Sequence, residues 1–150
     1  HGWDKPDIVR HGVIDRVASA ERAQMLVDMC IVRAGAGIAS RAGSLSGGNQ
    51  QKLVLAREIQ RDPKLLIAAQ PTRGGDIGAI EFIHNQIIAL RDAGAAILLV
   101  SVELDEIMSL SDRVAVMFDG RIMGFRDPDR TDERELGLLM AGVTAKEKAA

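Results

Sequence analysis

Two short apolar runs separated by a helix-length segment constrain the fold of this chain more than any other feature. Residues 65–69 and 96–101 are apolar apart from the final serine, a pattern typical of strands buried on both faces. Between them, Asp76 precedes a segment with isoleucines at helical spacing, and Gly94 ends it. A strand–helix–strand order predicts a parallel pair joined by a crossover helix, and therefore an α/β fold.

The other segments predict three regions. Ser19 is expected to cap a helix that runs to about Cys30, and the first 45 residues show no convincing strand. The remaining predicted elements are helices at about 46–61, 103–110 and 131–140, and a hairpin with an Asp119-Gly120 turn at 113–125. The regions are a helical piece at 1–45, an α/β core at 46–126, and a C-terminal helix and tail at 127–150.

Composition and charge exclude several classes of protein. Lysine and arginine total 19 against 21 acidic residues, and a net charge of −2 argues against a nucleic-acid binder with a basic face. Aromatic residues make up 3% of the chain and tyrosine is absent, which argues against a base-stacking platform. Because Cys30 is the single cysteine, an internal disulfide and a cysteine-ligated zinc site are excluded.

The strongest chemical signal is the string SLSGGNQQK at residues 44–52. Ser46 can cap a helix, and Gly47 and Gly48 carry no side chain that would block the approach of a ligand. The N–H groups of a first helical turn, together with about half a positive charge from the helix dipole, favour an anion such as phosphate. The Ser46 hydroxyl and the Asn49 amide can add donors. The glycine pair alone is equally compatible with an ordinary capped helix.

The same string resembles the signature motif of ATP-binding-cassette (ABC) ATPases, usually written LSGGQ, in an LSGGN-QQK form. Other landmarks of that family follow in the same order: the signature helix to 64, the Walker B strand at 65–72, the D-loop at 73–76, the switch-histidine loop at 100–106 and the closing strands at 111–122. The resemblance implies the C-terminal part of an ABC ATPase. Such a chain combines a RecA-like parallel-sheet lobe with part of the helical signature subdomain.

Further residues indicate which branch of the ABC ATPase family the chain resembles. LSGGNQQK followed by Pro-Thr-Arg-Gly-x-Asp-x-Gly-Ala at 71–79 is similar to the second, C-terminal cassette of sugar-type importers, in which one polypeptide carries two cassettes. The residues at 68–71, together with those at 79–84 and 104–108, look most like the bacterial nucleoside-importer branch. The sequence contains no Gly-x-x-x-x-Gly-Lys-Ser/Thr loop, so we expect a C-terminal fragment of a cassette. The implied protein is the ATP-binding subunit of a bacterial importer for nucleosides or simple sugars.

Three catalytic positions depart from the pattern of the family. The Walker B aspartate aligns with Ala69, the catalytic glutamate with Gln70 and the switch histidine with Val102. Alanine cannot ligate magnesium, and the loss of a positioned base typically costs about 10²–10⁴ in rate. We therefore predict no catalytic and no metal-binding residue in this chain, and no ATP hydrolysis by the chain alone.

The signature string, by contrast, is intact apart from Asn49. In the family, two cassettes pair head to tail, and each ATP lies between the Walker A loop of one and the signature of the other. The resemblance implies that Ser46, Gly47, Gly48 and Asn49 bind the γ-phosphate of ATP held by a partner cassette, and that Asp76 of the D-loop supports the interface. ATP and Mg²⁺ are then expected only in the full assembly.

The implied partners are the other cassette of the same subunit, transmembrane permease subunits and, indirectly, a substrate-binding protein. The implied location is the cytoplasmic face of the cell membrane, with no nucleic acid bound. Two alternatives stay open. One is a non-transport cassette of the DNA-repair or chromosome-structure type, which would carry an intact carboxylate pair after the strand and long heptad arms. The other is a structural or interaction module without a role in nucleotide binding.

Overall fold

The computed structural model describes residues 8–29 and 36–143 of the chain. Its elements are β1 (Val9–Arg10), β2 (Val13–Ile14), α1 (Arg16–Met29), α2 (Gly47–Ile59), β3 (Leu65–Ala69), α3 (Ile77–Asp92), β4 (Ala96–Val100), α4 (Leu104–Leu110), β5 (Val114–Phe118), β6 (Arg121–Arg126) and α5 (Glu133–Met140). Short 3-10 helices lie at Gly37–Ala39, Ala42–Ser44 and Pro128–Arg130. None of the helices in the described ranges is long and apolar enough to cross a membrane. The chain divides into two compact units. The first contains the residues up to 66 together with 71–96, and the second contains 67–70 together with the residues from 97 onward.

Strands β3 and β4 pair in parallel, as the strand–helix–strand order predicts. At the start of the pair, the N–H of Ala96 donates to the carbonyl of Lys64 over 2.9 Å. At its end, the N–H of Gln70 donates to the carbonyl of Val100 over 2.8 Å. The carboxyl ends of both strands therefore lie at the same edge of the sheet, where open α/β sheets place their functional residues.

The prediction that these strands are buried on both faces is wrong. Leu66 and Ala68 are buried, but Leu65 and Ile67 are 56% and 63% exposed, and β4 contains no buried residue. A parallel strand is buried on both faces only when a layer covers each face of its sheet. Within the described residues, one face of β3 has no such layer.

The N-terminal region differs from its prediction in two ways. Helix α1 begins at Arg16, because Oδ1 of Asp15 accepts hydrogen bonds from the N–H groups of Val17 (3.0 Å) and Ala18 (3.1 Å). Asp15 therefore provides the cap that the sequence assigns to Ser19. In addition, β1 and β2 form an antiparallel pair with two residues in each strand, which is too short to show the alternation that predicts a strand. Cys30, the expected end of α1, lies outside the described residues.

The second unit has a core of its own. Strands β5 and β6 form the predicted hairpin, and Asp119 and Gly120 have φ of 46° and 71°, as its tight turn requires. Nε of Arg126 in β6 lies 2.6 Å from Oε1 of Glu135 in α5. The apolar residues shared by the hairpin and α5 are Val114, Val116, Leu136 and Leu139.

Candidate functional site

Residues 46–49, which we call the signature turn, form a capped helix N-terminus as predicted. Ser46 is the N-cap of α2, and its Oγ accepts the N–H of Asn49 over 3.4 Å. This distance exceeds the usual N–H···O range of about 2.7–3.2 Å, so the hydroxyl is only weakly engaged. Gln50 fixes the entry of the chain, since its backbone N–H donates to the Ser46 carbonyl (2.9 Å) and its side-chain amide donates to the Leu45 carbonyl (2.8 Å).

The signature turn presents open hydrogen-bond donors. Among residues 8–29 and 36–143, no acceptor pairs with the N–H groups of Gly47 and Gly48, and the 13-residue helix adds about half a positive charge at this end. Ser46 and Gly47 are exposed, Asn49 is half-buried and Gly48 is buried. The most accessible donors are therefore the Ser46 hydroxyl and the Gly47 amide, which suit an anionic oxygen.

Packing within the chain by itself requires glycine at positions 47 and 48. A Cβ atom on Gly47 would lie 2.9 Å from the carbonyl oxygen of Gly74, and a Cβ atom on Gly48 would lie 2.9 Å from Cβ of Ala79. Both distances are shorter than real Cβ contacts, so a side chain at either position must displace its neighbour. The neighbouring D-loop and α3 therefore give these glycines a packing role. The expectation that they also leave room for a ligand stays a prediction.

Asp76 lies against the signature turn and caps helix α3. The turn before it closes with a 3.0 Å hydrogen bond from the N–H of Gly75 to the carbonyl of Thr72. Oδ1 of Asp76 accepts the N–H of Ala79 over 2.8 Å. A Cβ atom on Gly48 would lie 3.6 Å from the backbone nitrogen of Asp76. The N-termini of α2 and α3 therefore meet. The Asp76 carboxylate already occupies the N-terminus of α3, so the dipole of α2 is the one that favours a further anion at this place.

Further along, helix α2 is held beside α3 by a cation–π contact and a small apolar cluster. Nζ of Lys52 lies 5.0 Å from the ring centroid of Phe82. Phe82 also packs on Ala56, which is buried, together with Leu45 and α1 residues Leu26 and Val27. These contacts fix the axis of α2, and thus the direction of the donors at its N-terminus.

The three positions that the resemblance aligns with catalytic residues lie at the carboxyl ends of β3 and β4. Ala69 is the last residue of β3, and Gln70 follows it with a left-handed φ of 50° while its N–H bonds to β4. Val102 lies two residues beyond β4 and is 62% exposed. The Ala69 methyl and the Val102 isopropyl groups have no atom that can ligate a metal, and the Gln70 amide, although its oxygen accepts hydrogen bonds, has neither the charge of a carboxylate nor the basicity to take up a proton. No group of three histidine, cysteine, aspartate or glutamate side chains able to hold a metal ion occurs in the described part of the chain. These residues do not fit a magnesium-dependent hydrolytic site.

Glu58, near the opposite end of α2, has a shifted pKa. Burial raises the pKa of this carboxyl, but hydrogen bonds and charges from Arg57 and Arg61 outweigh burial and hold the pKa below its usual value. Its oxygens lie 2.8 Å from Nη2 of Arg57 and 3.2 Å from Nη1 of Arg61. This ion pair is structural and is not part of the signature turn.

Solved structures with this architecture are ATP-binding cassettes. A dimeric ATP-binding cassette in a post-hydrolysis state, bound to ADP and Pi, matches with a TM-score of 0.65 and 21% identity, over 79% of this chain and 51% of that chain. The chain has the ABC ATPase fold. No protein-family model matches it.

The sequence of this ABC-fold chain is similar to ATP-binding proteins of import systems. It is 64% identical over 108 residues to the guanosine import ATP-binding protein NupO of Bacillus subtilis, covering 72% of this chain and 21% of NupO. It is 50% identical over 143 residues to the nucleoside import ATP-binding protein NupA of Lactococcus lactis, covering 95% and 28%. A ribose import ATP-binding protein, RbsA of Lacticaseibacillus paracasei, is 41% identical over 134 residues, covering 89% and 27%. The chain thus spans between 21% and 28% of the length of these relatives.

The sequence analysis missed Ala79 and Phe82 as residues that shape the site of this ABC fold. Both belong to α3 and contact residues of α2 that are distant in sequence. The available signal was the small side chain of Ala79 in an isoleucine-rich helix, three residues after a capping aspartate. A small residue there lets another helix approach closely, but it does not indicate which helix.

Proposed function

We propose that the chain is part of the ATP-binding subunit of an ABC importer, and that it completes an ATP site on a partner cassette. The observation that carries the proposal is the signature turn, where open donors on a capped helix lie next to the D-loop. The names of NupO and NupA support nucleosides as the imported compounds, and the name of RbsA keeps simple sugars as the alternative. We assign the chain to the C-terminal part of the second cassette.

The donors of the signature turn suit the terminal phosphate of ATP. The Ser46 hydroxyl and the Gly47 amide donate to phosphate oxygens, and the Asn49 side chain adds an amide beside them. Gly48 contributes the next N–H of the same turn from a buried position. The dipole of α2, whose cap is a neutral serine, stabilises the negative charge that the phosphoryl group carries during transfer.

The partner cassette holds MgATP and supplies the phosphate-binding lysine, the magnesium ligands and the base. Ala69, Gln70 and Val102 supply none of these groups, so the site on this side of the pair does not cleave ATP. The two ATP sites of the assembly are therefore unequal. The remaining proposed partners are permease subunits in the membrane and, through them, a substrate-binding protein, which places the assembly at the cytoplasmic face of the membrane.

The test compares two chemically identical substitutions. Asn49→Asp adds a carboxylate at the signature turn, and Asn85→Asp adds one at an exposed position of α3. An acid in the first turn of a helix is favourable by about 0.3–1 kcal/mol, so Asn49→Asp should not lower the melting temperature of the isolated chain. It should abolish association with the partner cassette in the presence of Mg²⁺ and the ATP analogue AMP-PNP, and ATP turnover by the pair. Asn85→Asp should change neither.

Three outcomes would contradict the proposal. An Asn49→Asp chain that pairs and supports turnover like the unmodified chain would exclude phosphate contact at the signature turn. Turnover by the isolated chain would show a working site despite Ala69 and Gln70. Lack of AMP-PNP-dependent association by the unmodified chain would favour the structural-module alternative.

A further inference from the structure

A methyl group of α3 touches the glycine that lies directly behind the accessible part of the signature turn. Ala79 is 1% exposed, and a Cβ atom on Gly48 would lie 2.9 Å from its Cβ. The next nearest atoms to that position, the nitrogen of Asp76 and Cα of Gly75, are both 3.6 Å away, which is an ordinary contact. The Ala79 methyl group therefore sets how closely the first turn of α2 approaches α3.

The same pair of helices is in contact again one turn further along. Lys52 follows Gly48 by four residues and Phe82 follows Ala79 by three, so the two contacts lie along one line on each helix. Nζ of Lys52 lies 5.0 Å from the Phe82 ring centroid. Contacts at successive turns prevent α2 from rotating or sliding against α3 without loss of packing.

Ala79 is also bonded to the D-loop. Its N–H donates to Oδ1 of Asp76 over 2.8 Å, while its methyl group lies against Gly48. One residue therefore joins the capping carboxylate of α3 to the first turn of α2. A displacement of Asp76 by a partner cassette can act on the signature turn through this residue, through the backbone of Gly74 and Gly75, and through the Asp76 nitrogen beside Gly48.

We infer that Ala79 is a positioning residue, which places the Ser46 hydroxyl and the Gly47 amide at the distance that the phosphate requires. The inference rests on the proposed function and adds to it a residue that touches no nucleotide. A Cβ atom on Gly48 would point at the Ala79 side chain. The packing therefore limits the total volume of the side chains at positions 48 and 79.

Exchange of the methyl group between the two positions tests the inference. Gly48→Ala, Ala79→Gly and the double variant are compared for AMP-PNP-dependent association with the partner cassette and for the melting temperature of the isolated chain. Gly48→Ala should weaken association by about 10-fold or more, since a displacement of about 1 Å can cost on the order of 10²-fold at a reactive site. The double variant keeps the total volume and should return to within about 3-fold of the unmodified chain, as volume-conserving changes are tolerated best.

One further variant excludes a merely local effect on α3. Ala89→Gly, at an exposed position of α3, carries the same loss of helix propensity, about 1 kcal/mol, and should leave association unchanged.

The result that would overturn the inference is a double variant as impaired as Gly48→Ala, because the methyl group at position 48 would then obstruct the phosphate itself. If Gly48→Ala does not fold, the melting temperature of the double variant is the deciding measurement. Its recovery supports the contact with Ala79, and its failure to recover contradicts that contact. Failure of the proposed function can be distinguished from failure of this inference. If the proposed function is wrong, Asn49→Asp leaves association intact, whatever the result for the double variant.

Discussion

Replacement of Asp76 separates its role as a helix cap from the role of its charge. In Asp76→Ala, the 2.8 Å hydrogen bond from the Ala79 N–H is lost, and α3 begins without an N-cap. Loss of such a cap costs about 1 kcal/mol, within a range of about 0.5–2. For a chain of 150 residues, this corresponds to a fall in melting temperature of about 2–4 °C.

Asp76→Asn keeps an oxygen that can accept the same hydrogen bond and removes only the charge. Its melting temperature, measured by circular dichroism, should lie within about 1 °C of the unmodified chain. Both variants should weaken AMP-PNP-dependent association, because we propose that the carboxylate also supports the interface. Equal melting temperatures for the Asn and Ala variants would refute the cap assignment. Full association of Asp76→Asn would refute the role of the charge.

Three other predictions concern single residues. Ser46→Ala removes the cap of α2 and an exposed donor, so the free energy of unfolding in urea should fall by about 1 kcal/mol. Association with the partner cassette should also weaken. Unchanged values for both quantities would contradict this prediction. Gln70→Glu should give no phosphate release by the isolated chain, because Ala69 still binds no metal. Glu58 has a lowered pKa in the folded state, so its contribution to stability is complete above the usual pKa of glutamate and disappears as the pH falls through the lowered value. Glu58→Gln should therefore reduce the loss of stability in that acidic range, by less than about 1 kcal/mol for a surface pair, as measured by urea unfolding at successive pH values.

Features that depend on near neighbours in the sequence could be predicted. Ser46 caps α2 through the N–H three residues later, a helix begins beside Asp76, and the Asp119-Gly120 turn closes a hairpin between adjacent strands. The parallel pairing of β3 with β4 also follows from the order of the elements. All of these are confirmed by the structure.

Features that depend on contacts between distant segments could not be predicted. The closeness of Gly48 to Ala79 depends on how α2 lies on α3, and the exposure of Leu65 and Ile67 depends on which layers cover the sheet. One local feature was also predicted wrongly: Asp15 and Ser19 are both residue types that cap helices well, so the sequence does not decide which of them caps α1. The sequence pattern thus identified the signature turn but not the contacts of its glycines with the D-loop and α3.

Hydrogen exchange at the Gly47 amide tests the central claim most directly. In the free chain, this N–H has no acceptor among the described residues, so it should exchange rapidly. When the partner cassette and Mg²⁺-AMP-PNP are both present, the amide should become protected, whereas the partner or the nucleotide alone should have no effect. Rapid exchange at Gly47 in a complex that has formed with bound AMP-PNP would contradict the account.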